Sequence, residues 1–187
     1  LGLALALSSL EEGSPWEKLL ELRMALSTNN WNQKYGLDAF PLMTTFSEES
    51  AILVLADGTF YEGIAFVYRG TVFGEVVFNT SMTGYQEMLT DPSYRGQILI
   101  PTYPLIGNYG ISSEDVESSN IQVKGFVVRQ FCEEPSHNNS IMNLDQYLEN
   151  NKIPGIFGLD TRSIVKKIRN AGVMMGAISS NNDIDNI

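Results

Sequence analysis

The stretch that decides the reading runs from Gly74 to Tyr109, GEVVFNTSMTGYQEMLTDPSYRGQILIPTYPLIGNY. It overlaps a β-rich run, Val72 to Asn79 (VFGEVVFN). Further on, Gln97 to Thr102 (QILIPT) is a short, nearly continuous apolar run, consistent with a buried strand. Between the two lie Asn79, Thr80, Ser81, Thr83, Gln86, Thr90, Asp91 and Ser93. Small hydroxyl and amide side chains satisfy backbone groups at turns and caps, so one reading is an irregular, well-bonded connection. The other is a polar surface that holds a small ligand or a partner through hydrogen bonds. Tyr85, Met88 and Leu89 mark a short helix within it. Asp91-Pro92-Ser93-Tyr94 suits a type I turn, with Pro92 at its second position and the hydroxyl and amide of Ser93 presented outward.

Working outward, Ala51 to Leu55 (AILVL) reads as a strand and Asp57-Gly58 as a two-residue hairpin turn. Thr59-Phe60-Tyr61 then begins the returning strand. Ile121 to Arg129 (IQVKGFVVR), Gly155 to Leu159 and Val173 to Ile178 supply further strand candidates. Asn143 caps a predicted helix carrying Leu144, Tyr147 and Leu148. Asp160 caps a second, with Ile164, Val165 and Ile168 on one face and Gly172 at its end. Six or so strands with two or three helices, not regularly alternating, predict a mixed α/β or α+β domain rather than a simple doubly wound sheet.

The chain has 187 residues, 12 Lys and Arg against 22 Asp and Glu, and a net charge of −10. That balance argues against a general nucleic-acid binder, which needs clustered basic residues for phosphate. One cysteine, Cys132, excludes an internal disulfide and a Cys-based zinc site within the chain. No apolar stretch is long enough to span a bilayer. The expected compartment is the cytoplasm, with an organelle as the alternative.

Residues 1–50 read as an extension. Leu1 to Leu7 (LGLALAL) lacks the basic flank of a signal peptide, and Glu11, Glu12, Glu17 and Glu21 are the wrong charge for a transit peptide. Ser14-Pro15-Trp16-Glu17 is a helix start, with Trp16, Leu19, Leu20 and Met24 following at helical spacing. The segment is a docking helix, a foreign remnant, or translation upstream of a start at Met24, and the balance favours its being dispensable.

Catalytic signatures are mostly absent. The sequence holds neither a phosphate-binding G-x-x-x-x-G-K-[ST] loop nor a G-x-G-x-x-G after a strand. Cys132 lacks the glycine-flanked turn of a nucleophile elbow, and His137 sits in a polar stretch. No catalytic residue and no metal ligand is assigned. Arg162, Lys166 and Arg169 share one helix face, with Lys167 beside them, as a solvated face or a surface for an anionic partner.

Residues 51–180 closely resemble the N-terminal domain of the carbamoyl-phosphate synthetase small (glutaminase) subunit. The matching segments are Leu53 to Thr59 (LVLADGT), Gly74 to Tyr85 (GEVVFNTSMTGY), Leu89 to Tyr94 (LTDPSY), Thr102 to Gly110 (TYPLIGNYG) and Gly158 to Arg162 (GLDTR). The resemblance implies a layered β/β/α domain over 51–187 that contacts a large synthetase subunit. It implies a following glutamine amidotransferase domain with a Cys-His-Glu triad, whose elbow this chain lacks, so no glutaminase activity is expected from it alone. It also implies that Ser93 reaches the glutamine site of that neighbouring domain. ATP and magnesium are implied for the large subunit, none for this chain, and the product feeds arginine and pyrimidine synthesis. The alternative is a stand-alone, non-catalytic binding or regulatory domain.

Overall fold

The computed structural model describes residues 50–180. The helix expected after Ser14, with the rest of 1–49, lies outside the described residues, as does 181–187. The elements are β1 (Ser50–Leu55), β2 (Phe60–Val67), β3 (Thr71–Asn79), α1 (Tyr85–Thr90), a 3-10 turn (Pro92–Tyr94), β4 (Ile98–Pro101) and β5 (Leu105–Ile106). They continue with β6 (Gly125–Val127), β7 (Gln130–Phe131), α2 (Leu144–Asn150), β8 (Pro154–Phe157), α3 (Thr161–Ala171) and β9 (Met175–Ser180).

Seven strands close into a barrel in the order β1-β2-β8-β6-β4-β3-β9, and β5 and β7 form a separate parallel pair. The mixed α/β character is as expected, with the sheet dominating the core. The strand order draws a closed ring where stacked β/β/α layers were expected, because β9 pairs with both β1 and β3. A closed sheet has no unpaired edge within the ring.

Strand periodicity sorts side chains to the two faces. Leu53, Leu55, Val76, Ile98, Ile100, Val127, Ile156 and Ile178 point inward and form one buried cluster, against which α3 sets Ile164 and Ile168. Each such side chain contributes about 1.5–3 kcal/mol by leaving water. The interior is narrow: a Cβ on Gly125 would stand 2.8 Å from the Ile178 Cδ1, and one on Gly176 would stand 2.6 Å from a Val76 methyl. Only a missing side chain lets the facing strands fill that space.

The outer face carries a second cluster in which Phe66, Leu99 and Phe126 meet Tyr85, Met88 and Leu89 of α1 and Leu144 and Leu148 of α2. A third, smaller patch joins Val54 and Ala177 with Ile52, Phe60 and Phe73.

Local chemistry departs from expectation in three places. The β1–β2 connection is a three-residue loop, not a two-residue turn: Leu55 N–H donates to Thr59 O at 2.8 Å, Gly58 N–H donates to Leu55 O at 2.9 Å, and Gly58 takes φ 83°. That is a type I turn closed by a left-handed residue, the usual three-residue hairpin. The run 121–129 pairs as a strand only over Gly125–Val127. The short pair Leu105–Ile106 with Gln130–Phe131 has no sequence signal. The helix caps are as expected. Asn143 forms a capping box with Gln146, and the Asp160 carboxylate accepts the Ser163 N–H at 3.2 Å.

Candidate functional site

The polar stretch between β3 and β4 divides into buried side chains that bond the fold together and exposed ones that face solvent. Gln86 is 1% exposed and behaves as a peptide surrogate. Its Nε2 donates to Ser112 O at 2.6 Å and its Oε1 accepts the Ser112 N–H at 2.8 Å. Thr90 Oγ1 donates to Gln86 O and accepts the Glu117 N–H, while Ser118 Oγ donates to Thr90 O. These bonds tie α1 to the segment crossing over it, in line with the rule that buried polar groups find partners.

The start of α1 has an unusual cap. Gly84, at φ 88°, offers no side chain to the first helical amides. The Tyr109 hydroxyl oxygen accepts both Gly84 N–H at 2.7 Å and Tyr85 N–H at 3.0 Å, filling a role normally taken by Ser or Asp. The two tyrosine rings stack at 4.2 Å, and Tyr85 donates its own hydroxyl to Gly110 O. Burial pushes both phenols above their ordinary range, so neither ionises near neutral pH.

Asn79, at the end of β3, holds the remaining connections. Its carbonyl accepts Thr102 N–H at 2.9 Å, its Oδ1 accepts Ser81 N–H at 2.7 Å, and its Nδ2 donates to the Tyr94 hydroxyl at 2.9 Å. The turn that follows is a 3-10 turn over Pro92–Tyr94, close in form to the expected type I turn, with Asp91 as its cap. Asp91 Oδ1 accepts Ser93 N–H at 2.8 Å. The hydroxyl and amide of Ser93 together hold the Asp91 carboxyl below the usual carboxylate range. The amide and the hydroxyl of Ser93 therefore both turn to Asp91, contrary to the sequence expectation, while the residue itself is exposed and its hydroxyl oxygen keeps lone pairs with which to accept. Thr80, Ser81, Met82 and Thr83, on the other side of α1 in sequence, are also exposed, Met82 by 71%.

The remaining candidates lie elsewhere. Cys132 is half-buried and its Sγ donates to Glu134 O at 3.3 Å. His137 is exposed, its Nδ1 accepting the Asn139 N–H at 3.3 Å. Arg162, Lys166 and Arg169 are exposed on α3, but Lys167 leaves that group to pair with Asp57 at 2.7 Å. Among the described residues no group of three His, Cys, Asp or Glu side chains is placed to hold a metal, and no helix is long and apolar enough to cross a membrane.

The family model for the carbamoyl-phosphate synthase small chain, CPSase domain, matches residues 53–178. The chain belongs to the carbamoyl-phosphate synthase small-chain family. It is 57% identical over 130 residues to the carbamoyl phosphate synthase small chain of Nostoc sp., covering 70% of this chain and 34% of that protein. The Syntrophotalea carbinolica small chain is 59% identical over 130 residues, covering 70% and 35%. That of Aquifex aeolicus is 53% identical over 132 residues, covering 71% and 36%. The chain thus spans about a third of the length of these curated relatives. An aminopeptidase from Aneurinibacillus sp. overlays at a TM-score of 0.38 with 15% identity, over 70% of this chain and 30% of that one. That likeness is too slight to mark a shared fold.

The buried half of the polar stretch is the irregular, well-bonded connection that the sequence suggested. The roles of Tyr109 as a cap and of Asn79 as a hub are what sequence reasoning missed. Neither leaves a periodic signal, since the bond from Asn79 to Tyr94 spans 15 residues and that from Gly84 to Tyr109 spans 25.

Proposed function

We propose that this domain is the docking and glutamine-completing part of a glutamine-dependent carbamoyl-phosphate synthase. In this reading it seats against the large chain in the cytoplasm, and the assembly serves arginine and pyrimidine synthesis. ATP and magnesium belong to the large chain. The nucleophile belongs to an amidotransferase domain beside this one, and the role of this chain is binding. Ser93 lends its hydroxyl to glutamine held by that neighbour, while the Asp91 carboxylate fixes the turn from which it projects.

The observation that carries the reading is the exposed Ser93 on a turn capped by Asp91, inside the segment that the family model matches. A hydroxyl held at a fixed place costs little further ordering when it meets a ligand, which is why a capped turn suits the task. The test is Ser93→Ala in the complete small chain. The expected loss is about 0.5–1.5 kcal/mol of glutamine binding, the net worth of one neutral hydrogen bond. That appears as a glutamine KM raised roughly two- to tenfold. Unchanged KM and kcat would remove Ser93 from the site.

A further inference from the structure

We infer that Asn79 and Tyr94 form a positioning pair that sets where the Ser93 hydroxyl stands, so that glutamine affinity depends on a hydrogen bond made behind the turn. The inference rests on the reading of Ser93 given above and adds residues that do not touch the ligand.

The direction of the bond follows from the donors available. A backbone N–H can only donate, so the Ser81 N–H at 2.7 Å fixes the Asn79 oxygen on its own side. The Asn79 Nδ2 must then face Tyr94, and the Tyr94 oxygen accepts from it at 2.9 Å. The Asn79 backbone carbonyl is meanwhile held by Thr102 N–H. One side chain at the end of β3 thus locks the exposed loop at Ser81 and the turn at Tyr94 in the same act.

The turn has its own internal bonds, Tyr94 N–H to Asp91 O at 3.0 Å and Ser93 N–H to Asp91 Oδ1 at 2.8 Å. Those bonds fix its shape but not its place relative to the barrel. The Asn79–Tyr94 bond joins the turn to a barrel strand, and Gly96 N–H to Gln122 O at 2.9 Å holds its far end. A group displaced by a fraction of an ångström loses much of a hydrogen bond to a ligand fixed in another domain.

The experiment compares four variants of the complete small chain, assembled with its large chain, in glutamine hydrolysis. Tyr94→Phe and Asn79→Leu should raise the glutamine KM about two- to tenfold with kcat little changed, as Ser93→Ala does. Asn79→Asp keeps the acceptor for Ser81 and offers Tyr94 an oxygen to donate to, so the bond re-forms reversed and KM returns towards that of the parent. A purely structural role would lower the thermal midpoint and kcat in proportion to lost fold, without rescue of KM by Asp. If Ser93→Ala raises KM while Tyr94→Phe leaves it unchanged, the positioning pair is overturned and the reading of Ser93 stands. If Ser93→Ala also leaves KM unchanged, the reading beneath it has failed, and the pair with it.

Discussion

Leu53, Ile98, Val127 and Ile178 hold the barrel interior by apolar contact, whereas Gln86, Thr90 and Tyr109 hold the cover over its outer face by hydrogen bonds. The partners of the second group lie 24 to 28 residues along the chain. The first kind of contact is non-directional and tolerates any side chain of suitable volume. The second specifies a place: a buried amide either meets its partner or is left without one. The candidate ligand surface sits on the specified region, with Ser93 and the loop 80–83 resting on it.

Three measurements can break or sharpen this contrast. Ile98→Ala, at a fully buried position in the barrel, should destabilise the whole domain by about 2–5 kcal/mol in urea unfolding. A loss below about 1 kcal/mol would mean the interior collapses around the gap and is less tightly packed than the glycine contacts imply. Gln86→Leu should cost about 1–3 kcal/mol, because it strands both the Ser112 N–H and the Ser112 carbonyl. Its signature is local: amide exchange should quicken around Ser112 while barrel amides keep their protection. Uniform loss of protection would erase the distinction between interior and cover.

The smallest effect is at Asp57. Burial raises its pKa, but the Lys167 ammonium and the Thr59 N–H outweigh burial and hold the carboxyl below its ordinary value. A depressed carboxyl stabilises the fold above its unfolded pKa of about 3.9, and that contribution is lost as pH falls through the folded value. Both side chains are 36% exposed, so solvent screening limits the pair to at most about 1 kcal/mol. Lys167→Met should therefore melt slightly lower than the parent at neutral pH, and the two curves should converge in acid. A difference that persisted at about pH 2, well below the ordinary carboxyl pKa, would assign it to the lysine stem and not to the charge.

The same contrast explains what the sequence disclosed. Leu53, Ile98 and Ile178 sit in runs whose apolar character announces a strand, and Asn143 and Asp160 announce helix starts by residue type. Those signals are local. That the strands close into a ring was not legible, because pairing of Ala51 with Ser180 leaves no mark on either residue. The polar stretch was legible as a cluster, and Ser93 as the exposed point of a turn. Which members of the cluster face inward was not, since Gln86 is buried on its bonds to Ser112, far along the chain, while Thr83 stays exposed. The inward turn of the Ser93 amide is a smaller case: Asp91 competes for it locally.

Pairing of β1 with β9 has a consequence for how the protein is made. Translation delivers β1 first among these strands and β9 last, and β9 is also what joins β1 to β3. On the ribosome the hairpin of β1 and β2 can form early, and β4, β6 and β8 have both neighbours once β8 emerges, but β1 and β3 each keep an open edge until residues 175–180 follow. Contacts this distant in sequence slow folding and leave strand edges exposed to other chains in the meantime. The domain therefore has little use for partial synthesis: a nascent chain stopped short of β9 is a set of strands without a seam.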